Sequence, residues 1–139
     1  MPDLNQAQKD FLRGARLAVV TTLRPDGSPH STVVWVDCDG DDVLFNTARG
    51  RAKERHLLAD PRVSVVTVDS EDFHLWLTVD GRATLEDEGA DEHIDMLAVR
   101  YMGPGAARIS GGGEQRVIVR VRPERIEHEG LDLPIKKAI

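Results

Sequence analysis

Residues 17–36 read LAVVTTLRPDGSPHSTVVWV, and this stretch decides the fold class. Leu17 to Arg24 is rich in β-branched side chains and stops at Pro25-Asp26-Gly27. Proline presets φ for a turn, and glycine accepts the left-handed residue that closes it. His30 to Cys38 is then the returning strand, with Thr32, Val34, Val36 and Cys38 on one face and Ser31, Val33, Trp35 and Asp37 on the other. Asp39-Gly40-Asp41 makes a second tight turn into a strand over Val43 to Thr47. Three strands joined by turns this short are antiparallel, because a parallel pair needs a long crossover.

Outward from this meander, residues 4–14 have Leu4, Ala7, Phe11 and Ala15 near helical spacing. A second helix is expected over Gly50–Ala59, stopped by Asp60-Pro61 because the residue before proline avoids helical φ and ψ. Arg62–Asp69 and Leu75–Leu85 read as strands, and Asp80-Gly81 within the latter reads as a bulge, since the flanking pieces are too short to pair as a hairpin. Residues 90–102 form a helix with Ile94, Leu97, Ala98 and Tyr101 on one stripe. The glycine-rich GPGAARISGGG that follows reads as a mobile loop. The last strand is Arg116–Arg122, with Val117, Val119 and Val121 inward and Arg116, Arg120 and Arg122 alternating outward. Six mostly antiparallel strands with three helices make an α+β, mainly β, single domain over 1–139, and hairpin-linked strands of that number favour a small closed barrel over a sandwich.

The chain has 139 residues, 24 acidic against 18 basic, and a net charge of −6. That balance argues against bulk nucleic-acid binding, which needs a positive field to displace counterions. Two Trp, one Tyr and three Phe are too few for a stacking platform on single strands. No run approaches the ~18 apolar residues of a spanning helix, so no membrane partner is expected. Cys38 is the only cysteine, which rules out an intrachain disulfide and fits a reducing cytoplasm. The five histidines share no metal-ligand spacing, and no metal is expected.

Against this acidic background, Arg49, Arg51, Lys53 and Arg55 crowd into ARGRAKERHLLADPR, residues 48–62. Cations at a helix N-terminus oppose the macrodipole at a cost of ~0.3–1 kcal/mol each. The same end presents free N–H groups, so a docked anion reverses the sign. On helical spacing, Arg51 shares a face with Arg55 and Arg49 with Lys53. Spacing alone leaves two readings open: a solvated helix with Glu54 as local counter-charge, or an anion site. No phosphate-loop or dinucleotide-binding glycine pattern is present, and no nucleophile elbow. Chemistry, if any, falls to a bound cofactor, and no catalytic acid or base is assigned.

Four segments taken together, LAVVTTLRPDGSPHSTVVWV, VLFNTARGRAKERHLLADPRVSVV, WLTVDGRATL and QRVIVRVRPERI, resemble the pyridoxamine 5′-phosphate oxidase-like split-barrel superfamily. More narrowly, they are similar to the actinobacterial branch that uses the 5-deazaflavin coenzyme F420, which includes biliverdin reductases. The resemblance covers about residues 10–128, and its most specific part is RxKxRxLxxDPR. It implies a six-stranded split barrel and a homodimer with cofactor at the subunit interface. It implies that Arg51 and Lys53 hold the cofactor phosphate, with Arg55 as helper and Arg49 near an acidic tail. Ser31, Thr32, Val33 and Val34 would lie along the ring, and Asn46 and Thr47 would close the phosphate side. Arg108 is a candidate for a contact from the second subunit, and Trp35 and Trp76 for walls of the substrate cleft. The activity implied is hydride transfer from reduced F420 to a conjugated acceptor, such as a biliverdin- or quinone-like compound. A flavin mononucleotide (FMN) oxidoreductase and a non-catalytic binder of flavin, F420 or a lipophilic ligand are the alternatives. The chain lacks the basic Arg-x-His ending with which the pyridoxine phosphate oxidases grip substrate, which argues against that substrate.

Overall fold

A computed structural model describes residues 2–132 of the chain. The elements in order are α1 (Gln6–Leu12), β1 (Leu17–Leu23), β2 (Pro29–Asp39), β3 (Asp42–Ala48), α2 (Ala52–Ala59), β4 (Arg62–Val68), β5 (Trp76–Glu86), α3 (Ala90–Met102) and β6 (Arg116–Glu129). All neighbouring strands are antiparallel and close into a barrel in the order β1-β2-β3-β6-β5-β4. The expected six-stranded barrel with three helices is therefore present.

Alternation fills the barrel. Val20 and Val36, Val43 and Phe45, Val65, Leu77 and Val79, and Val117, Val119 and Val121 all point inward and are buried. Two helices plug opposite ends of the β1–β2 hairpin. Helix α1 brings Phe11 and Leu12 to the end where Arg13 donates to the Cys38 carbonyl, 3.0 Å. Its first turn carries a capping box, in which Asn5 and Gln8 each accept the other's backbone N–H at 2.8 Å. Helix α2 buries Leu57 at the other end, where His56 meets Thr22 at 2.8 Å.

The structure corrects several boundaries. Helix α1 is shorter than the expected 4–14, and α2 begins at Ala52 instead of Gly50, because Gly50 takes φ +89° and cannot be helical. Strand β6 runs through Pro123 to Glu129, well past Arg122. The expected bulge explains this: the β5–β6 register shifts at Asp80/Gly81 and sets Pro123 opposite Gly81, at an irregularity where a missing N–H is tolerated. The loop after α3 is tied near its middle. The Asp95 carboxylate accepts the N–H groups of Ile109 (2.8 Å) and Ser110 (2.9 Å) and the Ser110 hydroxyl, and this holds its pKa down to about 2.

The barrel is split on one side. Strands β2 and β3 pair only from Val36–Phe45 to Asp39–Asp42, whereas residues 29–35 of β2 pair with β1 alone. Beyond Phe45, β3 continues beside β6. A length of β2 edge therefore faces a gap in the wall.

Candidate functional site

The gap is a pocket lined by Val33, Val34 and Trp35 from β2, Asn46 and Thr47 from β3, Arg51 and Lys53 at the start of α2, Ile94 and Leu97 from α3, and Leu17. Helix α3 is held over it by Tyr101, whose hydroxyl donates to the Arg16 carbonyl (2.5 Å) and accepts the Val36 N–H (3.0 Å) at the end of the β1–β2 ladder. Trp35 stacks on Tyr101 with ring centroids 5.3 Å apart. One wall is thus apolar and aromatic.

The other end is cationic. Lys53 is half-buried and its Nζ donates to Thr32 Oγ1, 3.1 Å. Burial, then the charges of Arg51 and Arg116, push its pKa below the ordinary 10.5. Arg116 is buried, and its Nε donates to Asn46 Oδ1 at 2.9 Å. Burial and Arg51 lower its pKa as well, although a guanidinium stays charged. Lys53 and Arg116 both feel the like charge of Arg51, and an anion docked beside them would relieve that repulsion. Thr47 makes the same point in another way: its hydroxyl is buried in the pocket wall and finds no hydrogen-bond partner among the described residues. An orphaned hydroxyl costs ~1–3 kcal/mol, so a ligand oxygen that bonds it recovers that amount. These residues fit a phosphate.

Asn46 is oriented from three sides. Its Oδ1 accepts from Arg116, and its Nδ2 donates to the Ala90 carbonyl (3.0 Å) and meets His93 Nδ1 at 3.2 Å. With Nδ1 accepting, the ring proton sits on Nε2, 3.4 Å from Asp37 Oδ2, while Arg100 donates to the other oxygen at 2.7 Å. Burial works to raise the Asp37 pKa, but these two contacts and the Cys38 N–H more than offset it, so the carboxylate stays ionised. Asn46 is accordingly fixed in the pocket wall with both amide protons engaged, and its Oδ1 anchors Arg116.

The basic island does not act as a unit. Because α2 starts at Ala52, the pairs expected at i,i+4 do not form: Arg49 and Arg51 precede the helix. Arg51 and Lys53 reach the pocket. Arg49 turns away to Asp87, with two bonds of 3.0 Å, and to Glu54 at 3.4 Å. Arg55 bonds the Gly50 carbonyl and lines a separate cleft with Arg24, His56 and Arg62. Arg108 lies on the loop against Asp95 and Ser110, with its side chain 82 % exposed. Trp76 sits at the start of β5 with its Nε1 on Glu129, 3.0 Å, outside the pocket. Ser31 pairs with Thr21 at 2.8 Å on the outer face, and Thr32 contacts the pocket through Lys53.

Two charged residues at the site escaped the sequence reading. Arg116 lies on the outward side of β6, as its alternation predicts, but α3 covers that side and Arg116 is 6 % exposed instead of solvated. Glu114, at the end of the glycine loop, holds Arg51 through bonds of 2.9 and 2.7 Å. No described helix is long and apolar enough to cross a membrane, and no metal-binding cluster of three or more His, Cys, Asp or Glu exists among the described residues.

The profile of the pyridoxamine 5′-phosphate oxidase family matches residues 4–130, nearly the whole barrel. The chain belongs to this family. Among relatives, an F420H2-dependent biliverdin reductase of Mycobacterium tuberculosis is 29 % identical over 118 residues, covering 84 % of this chain and 81 % of that protein. A solved F420 reductase is 26 % identical with a TM-score of 0.78, covering 89 % of this chain and 98 % of that one. A conserved hypothetical protein of Mycobacterium tuberculosis, 23 % identical with a TM-score of 0.72 over 97 % and 92 % of the two chains, shares the fold. Arg51, Lys53 and the orphaned Thr47 hydroxyl are thus placed on a family fold whose named relatives include F420-dependent reductases.

Proposed function

We propose that the chain is an F420-dependent reductase whose cofactor lies in the split between β2 and β3. The observation that carries this reading is the cationic end of the split, where Lys53, Arg51 and Arg116 crowd beside a buried, unbonded Thr47 hydroxyl. The relatives named above support the choice of a deazaflavin. When bound in reduced form, F420 supplies a hydride for a conjugated organic acceptor.

The chain's own part is binding and orientation. Lys53 and Arg51 neutralise the phosphate, Thr47 donates its hydroxyl to a phosphate oxygen, and Asn46 holds Arg116 in place beside them. The free β2 edge over residues 31–34 offers backbone groups to the ring edge. Trp35, Ile94 and Leu97 exclude water on the α3 side.

A second copy of the chain completes the site. The outer faces of β1, β2 and β4 expose Leu17 (55 %), Val33 (62 %), Val19, Val66 and Val68, which the registers place side by side and which adjoin the pocket through Leu17 and Val33. An apolar face of this kind suits an isologous dimer. Arg108 would then act from the partner subunit.

Separate calorimetric titrations with F420 and FMN test the assignment, with sedimentation checking for twice the 15.4 kDa chain mass. Micromolar or tighter binding of F420, with FMN weaker, is expected. Preference for FMN would move the chain to the flavin oxidoreductases, and a ligand-bound monomer would remove the dimer. Thr47→Val should separate site from scaffold: thermal stability is unchanged or higher because an unbonded buried hydroxyl is gone, while affinity drops about five-fold, the worth of one hydrogen bond near 1 kcal/mol. A Thr47→Val protein that melts lower and binds normally would mean that the hydroxyl serves the fold.

A further inference from the structure

We propose that Glu114 sets how much charge the ligand phosphate carries, discriminating against a doubly charged phosphomonoester relative to a singly charged phosphodiester. The proposal rests on the reading of the pocket as a phosphate site. Glu114 Oε2 accepts from Arg51 Nε at 2.9 Å and Oε1 from Arg51 Nη2 at 2.7 Å, and Oε1 lies 3.6 Å from Arg116 Nη1. One carboxylate therefore engages Arg51, which lines the pocket, and Arg116, buried behind Asn46, and it uses the forked edge of Arg51 that would otherwise grip two phosphate oxygens. The fourth nearby cation, Arg49, is already matched by Asp87 and Glu54.

Arg51, Lys53 and Arg116 less Glu114 leave a local surplus of two positive charges. A ligand phosphate interacts with Glu114 in proportion to its own charge, so the repulsion felt by a phosphomonoester dianion is twice that felt by a diester monoanion. F420 carries a phosphodiester and FMN a phosphomonoester. Glu114 thus penalises FMN more than F420 without touching either ring. Its own charge is secure: the bonds from Arg51 hold its carboxyl below the ordinary glutamate range, so it is ionised throughout the neutral range.

The decisive experiment compares ligands that differ only in phosphate charge: FMN and its phosphate O-methyl ester, titrated into wild type, Glu114→Gln and Glu114→Asp at neutral pH and fixed salt. In Glu114→Gln, the methyl ester should gain roughly three-fold in affinity and FMN roughly ten-fold, the square of that gain, as expected for a half-exposed charge a few ångströms away. Glu114→Asp, which keeps the charge, should keep the wild-type ratio. An equal gain for both ligands, or a loss for both, overturns the proposal, the loss assigning Glu114 to positioning Arg51. Binding of neither ligand, nor of F420, to wild type would overturn the phosphate reading together with it.

Discussion

Replacing Lys53 with alanine lowers the affinity for F420 by one to two orders of magnitude, the loss of a charge-assisted hydrogen bond worth about 1.5–3 kcal/mol. Lys53 is the half-buried cation of the pocket and, among the described residues, bonds the Thr32 hydroxyl and no carboxylate, so its charge is left for the ligand. The same desolvation that depresses its pKa makes it a burden to the empty fold. Protonated Lys53 is less favourable in the folded chain than in the unfolded one, so ligand-free stability rises as pH climbs from the lowered pKa towards 10.5. Anion affinity moves the opposite way over the same window, because the charge that attracts the phosphate is being lost. Calorimetry and thermal melts across alkaline pH read both slopes. Unchanged affinity in Lys53→Ala would remove the phosphate from this end of the split, and parallel slopes would remove Lys53 as their source.

Gly81→Ala should be the most damaging single methyl group in the barrel. A Cβ on Gly81 would lie 2.0 Å from the Arg122 carbonyl oxygen and 3.1 Å from Val121 Cγ1, and the oxygen belongs to backbone that cannot swing aside. Opening the bulge to admit it strains the longest strand pairing in the molecule, Trp76–Glu86 against Ile118–Glu129. A loss of roughly 3 kcal/mol or more is expected, which for a domain of this size lowers the melting midpoint by about 10 °C. Thermal melts check it, and a melting midpoint within a degree of wild type would show that the bulge adapts at little cost.

The sequence was most legible where structure is local. The β1–β2 hairpin, the 90–102 helix and the bulge at Asp80-Gly81 all follow from turn chemistry and periodicity within a few residues. The split was not legible from spacing, because it depends on where β3 leaves β2 for β6, a pairing between residues about 70 positions apart. The basic island was visible as charge, yet which cation faces a ligand depends on Gly50, whose positive φ delays the helix and sends Arg49 and Arg51 in different directions. Arg116 was hidden by its own alternation: an outward side chain on a β-strand reads as solvated until a helix is laid over it, and nothing in QRVIVRV announces α3. Glu114 carries no signal of its own in a glycine-rich loop.

Strand β6 is the last of the described strands in chain order, and it pairs on both sides, with β3 and with β5. On the ribosome, β3 and β5 are therefore made with one flank bare, and each waits for residues 116–129 before its ladder is complete. Until then the Val- and Phe-bearing inner faces have no closed interior to enter. A nascent chain stalled before Arg116 would carry unpaired strand edges and depend on chaperones for protection, so the barrel closes late in synthesis and not strand by strand as it emerges.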